Sequence, residues 1–357
     1  MLSPLSRTVV SAEASRRPAD AAPHAPRFVA IGGGTGLPIV LDGLRQAAGV
    51  LTSDDRTDWL TAVVTVMDDG GSSGRLRESL GMLPPGDIRN CLAALVRTPS
   101  TLSSVLHYRL PSHNGLAGHA IGNLLLAALT SIEGDFAGAV RALGAQMDIC
   151  GRVLPATLEG VHLKARFDDG TEVLGETAIT ARRGRIRQLM LERAVSPAPE
   201  VIEAIAAADL IVVGPGSLYT SILPNLLVND VAHGISRSAA TKVYVANLMT
   251  QPGETDGYTL GDHLRALREH TGLDLFDYVL VNRAPIPAAA VADYAADGAR
   301  LVGRRDEAPY TDRARIVTAD LVTVTSSGEI RHDPSALGFA LVALAASCRR
   351  VGPGRVA

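Results

Sequence analysis

The run Phe28-Val29-Ala30-Ile31-Gly32-Gly33-Gly34-Thr35-Gly36-Leu37 sets the architecture of this chain. Four apolar residues lead straight into glycines, the pattern of a strand buried on both faces of a parallel sheet. Leu37, Val40, Leu41 and Leu44 then recur at helical spacing and predict a helix over 37–48. A polar stretch, Thr52 to Asp58, leads to a second apolar run, Leu60 to Met67. Strand, helix and strand in that order predict a βαβ unit with a right-handed crossover.

The same rhythm continues outward. A Gly/Ser/Pro-rich loop is expected over Asp68 to Gly86, then helices from Asp87 to about Val96, from Gly118 to about Ser131 and from Phe136 to Asp148. Between Arg152 and Leu191 the pattern shortens and alternates, and Asp168-Asp169-Gly170 is a hairpin turn signal. The α/β order then returns: helix Pro199 to Ala207, strand Leu210 to Val213, strand Lys242 to Ala246, helix Asp262 to His270, strand Tyr278 to Val281 and a last helix from about Pro334 to Ser347. The expectation is α/β: a Rossmann-like, doubly wound, mostly parallel sheet in one nucleotide-binding domain over 27–350. A small antiparallel β insertion is expected at about 152–191. Residues 1–26, rich in Ala, Pro, Ser and Arg, read as a disordered tail.

Composition removes several classes. Of 357 residues, 46% are hydrophobic and 20% charged, the balance of a soluble globular chain. Lys plus Arg number 34 against 37 Asp plus Glu, so the basic excess of a nucleic-acid binder is missing. Aromatics at 4% argue against a base-stacking platform. Cys91, Cys150 and Cys348 are far apart, which fits neither a disulfide scaffold nor a zinc module. No run reaches the ~18 apolar residues of a membrane span, and the tail lacks a secretory apolar segment. Cytoplasmic placement without membrane insertion or nucleic acid is the expectation.

Three glycine-rich strand ends carry the chemistry. In the first, Gly33, Gly34, Thr35 and Gly36 open a helix whose N-terminal N–H groups suit a phosphate. Leu37 stands where a dinucleotide fingerprint needs its third glycine, so a plain NAD oxidoreductase fits poorly. In the second, Asp68 and Asp69 follow strand two, where a carboxylate either meets ribose hydroxyls or holds Mg²⁺, the one cofactor candidate. Ser72, Ser73 and Arg75 add phosphate donors, and Asn90 continues the loop. Asp87 is read either as a helix cap or as a ligand contact. In the third, Gly214, Gly216, Ser217, Thr220, Ser221 and Asn225 follow the strand Leu210 to Val213 as a second anion cradle, with Asn247 on the rim. All three face the carboxyl edge of the sheet, where open α/β sheets bind ligands.

His119 and Asn123, four apart, share a helix face. His119 is either an acid/base group or phosphate contact, or a capping, buried histidine. His107 and His113 have no zinc-like spacing with it, and no Ser-His-Asp or Cys-His arrangement is legible.

Together the segments Ile31 to Leu37, Asp68 to Arg75, Leu83 to Cys91, Gly118 to Ala128, Gly214 to Leu227 and Met249 to Thr255 resemble the YvcK family, whose members are called gluconeogenesis factors or UDP-N-acetylglucosamine-binding proteins. The likeness runs from about residue 27 to Arg331-His332-Asp333-Pro334. It implies a cytoplasmic regulator that binds a UDP-sugar and serves cell shape and growth under gluconeogenic conditions, with no catalytic residue assigned. A homo-oligomer and regulatory protein partners are open expectations. The wider superfamily holds 2-phospho-L-lactate transferase, similar in the first glycine loop, the Asp pair and Ser221-Ile222-Leu223-Pro224. That branch implies the alternative: a Mg²⁺-dependent transferase on a nucleotide diphosphate-linked substrate. Beyond Asp69 the chain follows the YvcK pattern, which argues against deazaflavin binding.

Overall fold

The structure, a computed structural model, describes residues 26–48, 59–111, 115–303 and 314–350. The expected tail and the polar stretch Thr52 to Asp58 lie outside these residues. Strands run in chain order as β1 (Phe28–Gly32), β2 (Leu60–Val64), β3 (Arg152–Pro155), β4 (Leu163–Phe167), β5 (Glu172–Leu174), β6 (Ile186–Leu191), β7 (Leu210–Val213), β8 (Thr241–Val245), β9 (Tyr278–Asn282), β10 (Arg315–Ala319), β11 (Val322–Val324) and β12 (Ile330–His332).

Seven of them form one parallel sheet in the order β10-β9-β8-β7-β1-β2-β3. The chain winds one way from β1 through β2 to β3 and the other way from β7 to β10. The reversal falls between β1 and β7, which pair from Phe28↔Leu210 to Ile31↔Val213. In such sheets a crevice opens at the strands' carboxyl ends at that point.

The period-2 alternation of side chains divides each central strand between two cores. Phe28 and Ala30 enter one core with Leu60, Ala62, Val64, Leu210 and Val212. Val29 and Ile31 enter the other with Val63, Ile211 and Val213. Helices Gly36–Ala48, Gly86–Ala94, Phe136–Gln146 and Pro334–Arg350 cover the first face, and helices Pro199–Ala207, Val231–Arg237 and Leu260–Thr271 cover the second. Leu37, Val40, Leu41, Leu44 and Ala47 are fully buried, as their spacing predicts. Helix Gly36–Ala48 meets helix Pro334–Arg350 backbone to backbone: a Cβ on Gly338 would stand 2.0 Å from the Gly43 carbonyl oxygen.

The insertion is a three-stranded antiparallel sheet, β5-β4-β6, with Asp168-Asp169-Gly170 at the turn between β4 and β5. It begins later than expected. Arg152–Pro155 pairs in parallel with β2 as the edge of the main sheet, because Val153 and Leu154 are buried there. The insertion also carries a helix, Glu176–Arg182, that no apolar periodicity announces. The Asp68 to Gly86 segment, expected as a loop, contains helix Gly71–Leu80. Among the described residues no helix is long and apolar enough to cross a membrane.

Candidate functional site

The loops after β1, β2 and β7 meet at the carboxyl edge, as their glycines imply, but the glycines serve different neighbours from those expected. Gly33 is without a side chain because a Cβ there would stand 2.5 Å from Thr65 Cγ2 and 2.7 Å from Asp87 Oδ2. A Cβ on Gly36 would meet the Pro215 carbonyl oxygen at 2.1 Å. Both glycines let protein approach protein. Gly34 alone in this loop is left-handed, at φ 59°. Its N–H, the donor expected to hold a phosphate, donates to Asp87 Oδ2 at 2.6 Å. Asp87 therefore neither caps its own helix, which starts at Gly86 without a side-chain cap bond, nor faces solvent as a bare ligand group.

The expected Asp68–Asp69 pair is split. Asp68 Oδ1 accepts the Gly70 N–H at 2.9 Å, and Oδ2 lies toward Gly86. Asp69 turns away to the insertion, where Oδ2 accepts the Glu176 N–H at 3.0 Å and Oδ1 the Thr177 N–H at 2.9 Å. His162 Nδ1 stands 3.8 Å from the same carboxylate. Asp69 thus caps helix Glu176–Arg182, with one backbone donor on each of its oxygens. Among the described residues no three His, Cys, Asp or Glu side chains gather as a metal site.

The third loop departs from a simple anion cradle too. Ser217 Oγ donates to Glu254 Oε2, and Thr220 Oγ1 donates to Ser217 Oγ at 2.6 Å. Glu254 is 4% exposed, and burial raises its pKa against the bonds from Ser217, Thr220 and Thr180. These hydroxyls serve a buried carboxyl. Asn225 is fully buried; its amide donates to the Gly32 and Ser221 carbonyls at 3.0 and 2.7 Å, tying the first loop to the third. Ser221 is buried against Gly34. Asn247 clasps Gly216 from both sides, accepting its N–H at 3.3 Å and donating to its carbonyl at 2.8 Å. Gly214, at φ 77°, begins this loop.

Carboxyl groups crowd the crevice. Burial, then the neighbouring Asp68 charge, raises Asp87 to about 6, against the opposing Gly34 N–H and Arg89. Glu176, at the head of the capped helix, rises to about 7 through burial and then Asp68, Asp69, Glu254 and Asp87. Nothing in the sequence flags Glu176, because its place depends on a cap from Asp69, far away along the chain.

On the other side of the Asp68 loop, Ser72 Oγ lies 2.9 Å from His119 Nδ1, and Asn123 Nδ2 donates to the same oxygen at 3.0 Å. Ser72 is buried and accepts from Asn123. Ser73 is buried beside Gly86. Arg75 is exposed and donates to the Ala117 carbonyl at 2.6 Å, close to Gly118. Arg89, missed as a site residue, is 6% exposed and donates to Asn123 Oδ1 at 2.8 Å and Asn90 Oδ1 at 2.7 Å. Burial, then Arg109, lowers its pKa. A charged residue inside the apolar helix Gly86–Ala94 is the sequence signal that could have found it.

Two clefts open here. One, of about 240 Å³, is lined by residues including Thr35, Ser217, Asn247, Gln251, Arg331 and His332. The other, of about 470 Å³, includes Thr35, Arg45, Asn90, His107 and Arg331. Thr35, Ile39 and Arg331 line both, so the clefts adjoin beside helix Gly36–Ala48. Gln251 Oε1 and His332 Nε2 are buried without hydrogen-bond partners at the smaller one.

Residues 28–322 match the family described as 2-phospho-L-lactate transferase CofD. The chain is 42% identical over 320 residues to the gluconeogenesis factor of Bacillus subtilis, covering 89% of this chain and 98% of that protein. It is 42% identical over 315 residues to that of Halalkalibacterium halodurans, covering 88% and 95%. A crystal structure of a Bacillus halodurans protein superposes with a TM-score of 0.84 at 41% identity, over 89% of this chain and 100% of that one. Matches of this extent and identity reach across the sheet, the insertion and the crevice, and the chain belongs to the 2-phospho-L-lactate transferase CofD family, alongside relatives named gluconeogenesis factors.

Proposed function

We propose that the chain is a nucleotide-sugar-binding regulator of growth on gluconeogenic carbon and of cell shape, with UDP-N-acetylglucosamine as its ligand. The observation that carries the reading is a cleft at the point where the sheet reverses and a second that adjoins it along helix Gly36–Ala48. A dinucleotide-like ligand has two bulky ends joined by a charged diphosphate. Two clefts sharing Thr35 and Arg331 suit that shape, with a cation at the waist. Ser72, the hydroxyl hydrogen-bonded to His119, is buried, which favours binding over turnover. The names of the gluconeogenesis-factor relatives support the physiological half.

The family's transferase description favours a second reading, group transfer from a nucleotide diphosphate-linked donor. One experiment separates them. The protein is titrated by calorimetry with UDP-N-acetylglucosamine, UDP, GDP and NAD, and every bound nucleotide is recovered and chromatographed. The regulator reading expects UDP-N-acetylglucosamine to bind best and return unchanged. Cleavage of the bound nucleotide at a steady rate overturns it in favour of transfer.

A further inference from the structure

Arg89, Asn123, Ser72 and His119 are joined by hydrogen bonds that all donate in one direction. The chain starts on an enclosed cation. Arg89 lies against Gly122, where a Cβ would stand 2.7 Å from its Cδ, so the backbone makes room for the side chain. A guanidinium only donates, and its Nη1 meets Asn123 Oδ1 at 2.8 Å. That fixes the amide: the nitrogen faces the other way and donates to Ser72 Oγ at 3.0 Å. Ser72 has one proton to give, and His119 Nδ1 lies 2.9 Å from its oxygen. No other acceptor for that proton stands among the described residues, so we assign it to Nδ1, which leaves the neutral ring protonated on Nε2. Burial, then the Arg75 charge, lowers the pKa of His119 and keeps the ring neutral. Nε2 has no hydrogen-bond partner among the described residues and is not enclosed.

We propose that this chain of donors ends on the ligand: His119 Nε2–H donates to an anionic oxygen of the bound phosphate group, with Asn123 and Arg89 as its positioning residues. The proposal rests on the reading of a diphosphate ligand at this edge of the sheet, and it requires that ligand to reach beyond the two clefts, whose linings do not include His119. Contacts link His119 to the glycine loop without a break. Ser72 and Ser73 lie in one helical turn, Ser73 Oγ lies against Gly86, and Asp87 next to it holds the Gly34 N–H. Arg75 stands beside Gly118 and supplies a cation at the same place. Aligned bonds polarise one another, and a buried cation at the far end strengthens the final donor. The ring thus offers a strong donor to a phosphate while carrying no charge of its own.

Two isosteres test it. In His119→Gln an amide N–H takes the place of Nε2–H and the Ser72 bond is lost. In His119→Asn an amide oxygen takes the place of Nδ1, the Ser72 bond is kept and no donor reaches the ligand. Calorimetric titration with UDP-N-acetylglucosamine and with inorganic pyrophosphate should give near wild-type affinity for His119→Gln and roughly ten- to a hundredfold weaker binding for His119→Asn. In the ligand-free protein, ¹⁵N NMR of the imidazole should show the proton on Nε2. Asn123→Asp replaces the donor to Ser72 with an acceptor and should move that proton to Nδ1. A wild-type ring protonated on Nδ1, or equal affinities in the two His119 variants, overturns the proposal while leaving the ligand reading in place. Failure of both probes to bind the wild-type protein overturns the ligand reading and this contact with it.

Discussion

Removing the Asp69 carboxylate should unfasten the insertion and leave the ligand crevice intact. Its two oxygens accept the Glu176 and Thr177 N–H groups at 3.0 and 2.9 Å, the first donors of a seven-residue helix. The side chain is 19% exposed, so solvent screens these bonds only in part. A helix cap contributes about 0.5–2 kcal/mol, and bonds to an ionised group lie at the upper end. Asp69→Ala should therefore cost about 2 kcal/mol. Asp69→Asn keeps one acceptor without the charge and should cost about 1 kcal/mol. Gly175→Ala should reproduce the loss from the other side. Its φ is 98°, and a Cβ there would stand 2.6 Å from Asp69 Oδ2. Urea unfolding reads stability, and calorimetry with UDP-N-acetylglucosamine on the folded protein reads affinity. If Asp69→Asn unfolds at the wild-type midpoint while binding weakens tenfold or more, Asp69 is a ligand group and the capping argument fails.

Three further expectations follow from the crevice. Gly36→Ala should lower stability by about 2–3 kcal/mol, because the carbonyl of Pro215 lies 2.1 Å from the new methyl; unchanged thermal unfolding would contradict the close approach of the two loops. Asp87 is raised from 3.8 to about 6, so its contribution is full below pH 3.8 and is lost as pH rises through 6. Asp87→Asn, which can still accept from Gly34, should remove that loss, seen as a stability difference between pH 5 and pH 8 smaller by about 1.4 kcal/mol. His332 is lowered by burial from 6.5 to about 4, so its contribution is present above pH 6.5 and is lost as pH falls toward 4. His332→Asn should flatten that acid limb by up to about 3 kcal/mol, and an identical slope in variant and wild type would place the acid sensitivity elsewhere.

The sheet was legible because its central strands are short apolar runs ending in glycine, and burial on both faces demands that pattern. Helix Gly71–Leu80 was hidden because Gly-Ser-Ser-Gly scores against a helix. Tertiary contacts override that propensity: Ser72, Ser73, Gly74 and Leu76 are all buried. Helix Glu176–Arg182 was illegible because its cap comes from Asp69. Strand β3 was misplaced because four residues cannot reveal whether their partners run parallel or antiparallel. The three loops do meet at one edge of the sheet, yet glycine and aspartate do not say whom they serve. Gly36 accommodates Pro215, and Asp87 engages Gly34. Those partners are distant in sequence, and local pattern carries no record of them.

The place of β1 bears on how the chain is made. Of the described strands, the first to leave a ribosome lies inside the finished sheet, between β7 and β2. One of its edges is paired by β2, but the other waits for β7, and Arg27 and Asp209 at the foot of that pair are 182 residues apart. Until then the nascent chain presents an unpaired apolar strand edge, which invites association with other chains. The first helix waits longer still, since its Gly43 surface is covered only by Gly338 near the carboxyl end. Fragments ending after β3 should therefore be sticky rather than independently folded.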